Sequence, residues 1–237
     1  MNEPDPRQPA GTLRAFLGYL RRPELIAPSG LRSEAAWRSL AILFLLQLAV
    51  LLGVVLPFVA AWQNAFDLAG PDAFGQVDES WLLPLAVLAM PVGEELFFRG
   101  WLTGRKRALW LLLCAAVVVA SGLSIKGENV PPLAMIGVLG ALVAAPVGWF
   151  LLRKKAEPPR WFARGFPAIF YFVTLGFALL HVSNYPSPSF LTVPLVLPQL
   201  WIGLMLGYVR MRIGLVGSIL AHILSKGAVL LITPWLG

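Results

Sequence analysis

The stretch Leu83-Pro84-Leu85-Ala86-Val87-Leu88-Ala89-Met90-Pro91-Val92-Gly93-Glu94-Glu95-Leu96-Phe97-Phe98-Arg99 places three ionisable side chains within six positions of an otherwise apolar run. A charge held in a bilayer costs on the order of 3 kcal/mol on insertion scales. A chain that keeps three of them together is using them. On a helix Glu95 and Arg99 fall at i, i+4 on one face, so each offsets the other's burial. Glu94 points about 100° away from that face. It has no partner on its own helix, and an unpaired carboxylate in a dry site suits a general base. Pro91 and Gly93, just before it, favour a kink, which a membrane helix tolerates where protein or a cavity replaces lipid.

The rest of the chain fits this reading of 81–103 as a membrane span. Of 237 residues, 58% are hydrophobic and 13% are charged, against about 25% charged in an ordinary soluble domain. That deficit excludes the soluble class and assigns an all-α fold, a polytopic transmembrane helical bundle. Apolar stretches of roughly 20 residues, the length that crosses a bilayer, occur about seven times. They fall near 38–62, 81–103, 108–124, 131–152, 166–183, 189–208 and 213–235.

The connecting loops alternate in charge. Arg7, Arg14, Arg21, Arg22 and Arg32 precede the first span, and Asp67, Asp72, Asp78 and Glu79 follow it. Arg105, Lys106 and Arg107 come next, and then Lys126 opposed by Glu128. Arg153, Lys154, Lys155, Arg160 and Arg164 follow, then the uncharged stretch 183–189, then Arg210 and Arg212. The positive-inside rule puts the N-terminus in the cytoplasm and the C-terminus on the other side. The same bias accounts for the net charge of +7 without nucleic acid as a partner. Cys114 is the single cysteine and forms no intrachain disulfide.

Residues 1–36 make an N-terminal cytoplasmic segment without the pattern of a cleavable signal peptide; 37–237 form the transmembrane domain. Within the first segment, Leu13, Phe16, Leu17 and Leu20 set against Arg14, Arg21 and Arg22 describe either an amphipathic helix on the membrane surface or an ordinary basic juxtamembrane stretch. The polar loop 63–80 is placed to cap the non-cytoplasmic face. Small residues recur at Gly140, Ala144 and Gly148 and at Gly203 and Gly207, a spacing that lets helices approach closely in lipid.

The chain has two histidines, His181 and His222, and both lie in expected spans. Two histidines and two glutamates are nearly the whole membrane-buried titratable set. Such groups converge on a functional site more often than they scatter.

Glu94-Glu95-x-x-x-Arg99, then Phe177-x-x-x-His181, then a glycine-containing helix ending in His222, resembles the CAAX-processing and bacteriocin-processing (CPBP) family of intramembrane proteases. That family carries EExxxR, FxxxH and HxxxN on separate helices. The likeness extends to Gly203-x-x-x-Gly207-Tyr208, Gly214-Leu215 and Ser218-Ile219. It implies that Glu94, with His181, activates a water for attack on a peptide bond. It also implies that Glu95 and Arg99 form a structural pair, and that His222 and the residue four positions on steady the oxyanion. No cofactor is implied. The implied partners are the bilayer and a peptide or protein within or at it, in a bacterial cytoplasmic membrane.

Two departures from the family pattern stand out. Lys226 occupies the position of the family Asn. Its ammonium is either an oxyanion donor, with Ser225 or Asn184 as substitutes, or an ion-pair partner of Glu94 or Glu95 that marks a lapsed protease. Secondly, two spans, an insertion at about 106–152, separate the first motif from the second. An even number of crossings preserves the orientation of the motif helices. The span limits nevertheless set His181 roughly 10 Å nearer the opposite face than Glu94 and His222, at 1.5 Å rise per residue.

Four functions remain open at this point. They are a glutamate-dependent intramembrane endopeptidase, a zinc-dependent protease using the same residues, a non-proteolytic scaffold or immunity-type protein, and a proton-relay transporter. The absence of internal repeats counts against the last.

Overall fold

Ser33 accepts the Ala36 amide hydrogen through its hydroxyl and so starts the first long helix, the role that serine fills at helix N-termini. In the computed structural model, which describes residues 9–72, 81, 84–127 and 129–232, helices follow one another throughout. Among those residues the β pairing amounts to one isolated bridge, between Lys126 and Asn129.

Helix α1 runs Pro9–Arg21 and α2 Glu34–Phe66, the latter broken by a π-helical turn at Leu51–Val55. Asp67 closes α2 in the left-handed region, at φ 49°. A second π-helical turn, Pro84–Ala89, leads into α3, Met90–Arg99. Next come α4 (Lys106–Leu123) and α5 (Pro132–Leu152). Helix α6 (Arg160–Leu180) tightens into a 3-10 turn at His181–Asn184. A 3-10 segment, Phe190–Val196, feeds α7 (Leu197–Arg212), and α8 is Leu215–Ile232.

Among the described residues six helices are long and apolar enough to cross a membrane: α2, α4, α5, α6 with its 3-10 turn, α7 with its 3-10 lead, and α8. The all-helical, multi-pass class is therefore borne out. The helix expected at 81–103 ends four residues earlier than expected. Its regular helix has ten residues and stops at Arg99, because the chain turns through 100–104, where the Gly104 amide bonds to the Trp101 carbonyl and Gly104 takes φ +66°. The irregularity expected from Pro91 is the π turn just upstream. Pro91 lacks the amide hydrogen that an α-helical ladder needs there, and π turns absorb such defects. Arg7, Asp78, Glu79, Glu128, most of the 63–80 loop's second half and the end of the last span lie outside the described residues.

The chain divides into two compact units, residues 1–99 with 166–237, and residues 100–165. In the first, α1 buries Thr12, Phe16 and Tyr19. The Phe16 and Tyr19 rings pack 5.3 and 5.1 Å from the Tyr208 ring of α7. The apolar stripe read from sequence is therefore split: Phe16 turns inward while Leu13 and Leu17 stay exposed. Gly203 and Gly207 let α7 approach α6 closely. A Cβ on Gly203 would lie 3.1 Å from Thr174 Cγ2, and one on Gly207 2.7 Å from the Phe170 ring.

In the second unit α4 and α5 form a hairpin. Trp110 Nε1 donates to the Ala144 carbonyl at 2.8 Å, and Gly148 packs on the Trp110 ring. The outer face of α5 exposes Leu133, Leu142 and Leu151. Such apolar exposure matches a surface meant for lipid.

Candidate active site

Glu95 is fully buried, and every contact it makes satisfies a charge. Its Oε1 accepts from Arg99 Nη1 at 2.5 Å and from His222 Nδ1 at 3.0 Å, and its Oε2 accepts from the Ser218 hydroxyl. The Arg99 guanidinium also lies 4.3 Å over the Phe177 ring of α6. At the end of α3, Arg210 Nε donates to the Arg99 carbonyl at 2.7 Å, a cation at a helix C-terminus. The i, i+4 pair read from sequence is present. It also ties α3 to α8, because a carboxylate that accepts from Nδ1 fixes the ring orientation of His222, as in other His–carboxylate pairs.

That orientation turns His222 Nε2 towards Glu94. The distance to Glu94 Oε2 is 3.6 Å, and His181 Nε2 lies 4.0 Å from Glu94 Oε1. His181 is held in turn by its Nδ1, which bonds to the Phe177 carbonyl at 2.8 Å. A nitrogen facing a carbonyl must donate, so Nε2 of the neutral His181 ring is an acceptor aimed at Glu94. Glu94 Oε2 and His222 Nε2 are buried without a hydrogen-bond partner. Polar groups at these separations are commonly bridged by one water. Glu94 therefore sits between two imidazoles from two other helices.

The expected 10 Å offset of His181 does not occur. The helix that carries it starts at Arg160 and tightens from α to 3-10 at His181, so a uniform α-helical rise does not describe its depth. Lys226, half-buried one turn beyond His222, lies close enough to His181 to act on it electrostatically. Among the described residues it makes no ion pair with Glu94 or Glu95, so the neutralising contact considered above is not formed. Ser225 is turned away from Glu94. Its hydroxyl donates to the Ala221 carbonyl and accepts from Gln47 Nε2, both at 2.6 Å. The Asn184 carbonyl accepts the Asp72 amide, and its side chain makes no hydrogen bond among the described residues. Neither residue stands in for the family Asn. Among the described residues no three His, Cys, Asp or Glu side chains are arranged to hold a metal ion.

Sequence reasoning missed Gln47, and it named Ser218 in the family likeness without its role as a partner of Glu95. Gln47 is a lone carboxamide in the apolar run of α2, 1% exposed. Its side chain reaches Ser225 on α8, and its carbonyl, just before the π turn, accepts from Trp201 Nε1 of α7 at 3.1 Å. One residue thus joins three helices, three positions along α8 from His222. Replacing Gln47 with Leu is expected to cost about 1 kcal/mol, the scale of a buried hydrogen bond. Thermal unfolding in detergent measures this, and adding Ser225→Ala to Gln47→Leu should cost less than the sum of the two single changes.

The family model described as Type II CAAX prenyl endopeptidase Rce1-like matches residues 76–228, a range that holds all three motif helices. No curated protein and no solved structure matches the chain.

Proposed function

The chain belongs to the Rce1-like family of type II CAAX prenyl endopeptidases, a multi-pass membrane protein of a protease family, and from that premise we propose that Glu94 and His181 activate the water that cleaves a membrane-associated peptide. One observation carries the reading: Glu94 stands between His181 and His222, with unpartnered polar atoms on Glu94 and His222. A side chain added at Gly93 would meet nothing within 4 Å, so open space adjoins the site.

In the proposed step a water donates one hydrogen to Glu94 and the other to His181, and its oxygen attacks the scissile carbonyl. Glu94 takes the proton and returns it to the leaving amine, the usual exchange of base and acid roles. His222, held through Nδ1 by Glu95, turns Nε2 towards the place where the oxyanion's charge develops. The Lys226 ammonium, in place of the family Asn, supplies a cationic donor. Arg99, Ser218 and Glu95 hold His222 and do not touch the substrate. The alternating loop charges support a cytoplasmic N-terminus, and the 100–165 unit fits an insertion into the motif-bearing bundle.

The second reading, a binder of the same fold, is favoured by Lys226 alone. The test is cleavage of a prenylated C-terminal peptide by the purified chain in vesicles, with and without a strong chelator. The wild type should cleave in both conditions, and Lys226→Asn should stay within about tenfold of it, a change of about 1.4 kcal/mol in barrier. Cleavage by Lys226→Asn alone makes the natural protein a binder. Loss with chelator that zinc restores makes it a metalloprotease.

A further inference from the structure

Beside the site-bearing helices, α1, the residues just after it and the C-terminal end of α7 line an open cleft of about 350 Å³. Its wall includes Gly18, Tyr19, Arg22 and Glu24 on one side, and Tyr208 and Arg212 on the other. The Tyr19 hydroxyl is engaged, donating to the Glu24 carbonyl at 3.2 Å. Three polar groups are not. Among the described residues the side chains of Arg22 and Arg212 make no ion pair or hydrogen bond, and the Tyr208 hydroxyl has no hydrogen-bond partner. Tyr208 is only 3% exposed, so a buried phenol lines the cavity beside two unpaired guanidinia. With Glu24 as the one carboxylate, the wall carries a net positive charge.

We propose that this cavity binds the phosphate of a membrane lipid headgroup. The chemistry is that of an oxyanion: guanidinium forks match phosphate oxygens in geometry and charge, and a free phenol adds a neutral donor. The position argues for a lipid as the source. Arg212 is the last residue of a membrane-crossing helix, Phe190–Arg212, so the cavity lies at the depth where a bilayer presents its phosphates. Basic pockets between helices at that depth take up headgroups. Gly18 keeps the cavity open, since a Cβ there would meet nothing within 4 Å.

The test uses the full chain in an uncharged detergent, titrated with a short-chain phosphatidylglycerol or with inorganic phosphate while thermal unfolding is followed. Phosphatidylglycerol should raise the unfolding midpoint saturably. The combined Arg22→Gln and Arg212→Gln variant should weaken the apparent Kd at least about tenfold, by losing two charge-assisted contacts. Gly18→Leu, which fills the cavity and leaves every charge in place, should abolish the response. Glu24→Gln should tighten binding. Without lipid the arginine and glutamate variants should unfold as the wild type does, since those side chains are exposed, and Gly18→Leu should unfold no lower, since leucine favours a helix interior over glycine. An undiminished response in Gly18→Leu and in the double variant overturns the site. An equal response to inorganic phosphate at matched concentration overturns the lipid as its source.

Discussion

Glu94→Gln is expected to lower peptide cleavage on the order of 10³-fold, the scale of positioned acid–base catalysis, and to leave the unfolding midpoint where it was. The two halves of this result have one cause. Glu94 makes no hydrogen bond through Oε2, and its nearest imidazole nitrogens lie 3.6 and 4.0 Å away. The fold therefore does not depend on its charge, and glutamine keeps its volume and shape. Only the capacity to take a proton from water is removed. Turnover by Glu94→Gln at the wild-type rate would end the proposed mechanism. A stability loss comparable to that of a buried ion pair would instead make Glu94 structural. The assay is single-turnover cleavage in vesicles, paired with thermal unfolding of the same preparations.

The second large effect is expected at Arg99, with the consequences reversed. Arg99→Met should destabilise the fold by about 3–5 kcal/mol, the cost of leaving one member of a buried pair uncompensated. Glu95, with no exposure, would keep Ser218 and His222 as donors but lose the only guanidinium bonded to it. The packing of Arg99 over Phe177 would go with it. Size-exclusion profiles and thermal unfolding in detergent read the loss. The double variant Glu95→Gln with Arg99→Met should recover a large part of it, because the stranded charge is then absent. No recovery in the double variant would mean that Arg99 acts through packing on Phe177 rather than through charge. Activity should not return with stability, since a glutamine at 95 holds His222 less firmly.

Reading the sequence reached the polar residues that are costly to bury and missed those that are cheap. Glu94, Glu95, Arg99, His181 and His222 are conspicuous because an ionisable group in an apolar run needs a reason. The i, i+4 spacing of Glu95 and Arg99 then states their pairing without any tertiary information. Gln47 and Ser218 carry no such signal. Their partners lie 178 and 123 residues away, a relation that no local pattern encodes. The limits of α2, α4, α5, α6, α7 and α8 came within a few residues of expectation because length and hydropathy determine them. The depth of His181 did not, because it was computed on uniform α-helices. The chain instead departs from that geometry at Leu51–Val55, Pro84–Ala89 and His181–Asn184. Two of these three irregular turns border motif residues, and composition alone gives neither their position nor their effect on rise.

Glu95 also constrains the order in which the protein can be completed. Its local partner, Arg99, is four residues away and available as soon as α3 forms, so the Glu95–Arg99 pair is neutralised on its own helix. Its other two partners, Ser218 and His222, belong to α8, the last described helix to be synthesised. Until α8 arrives, the carboxylate is only partly satisfied and His222 is absent, so the cluster around Glu94 is incomplete on the nascent chain. A translation product that stops short of α8 carries an under-satisfied buried acid, the kind of defect by which an unfinished membrane protein is told from a finished one.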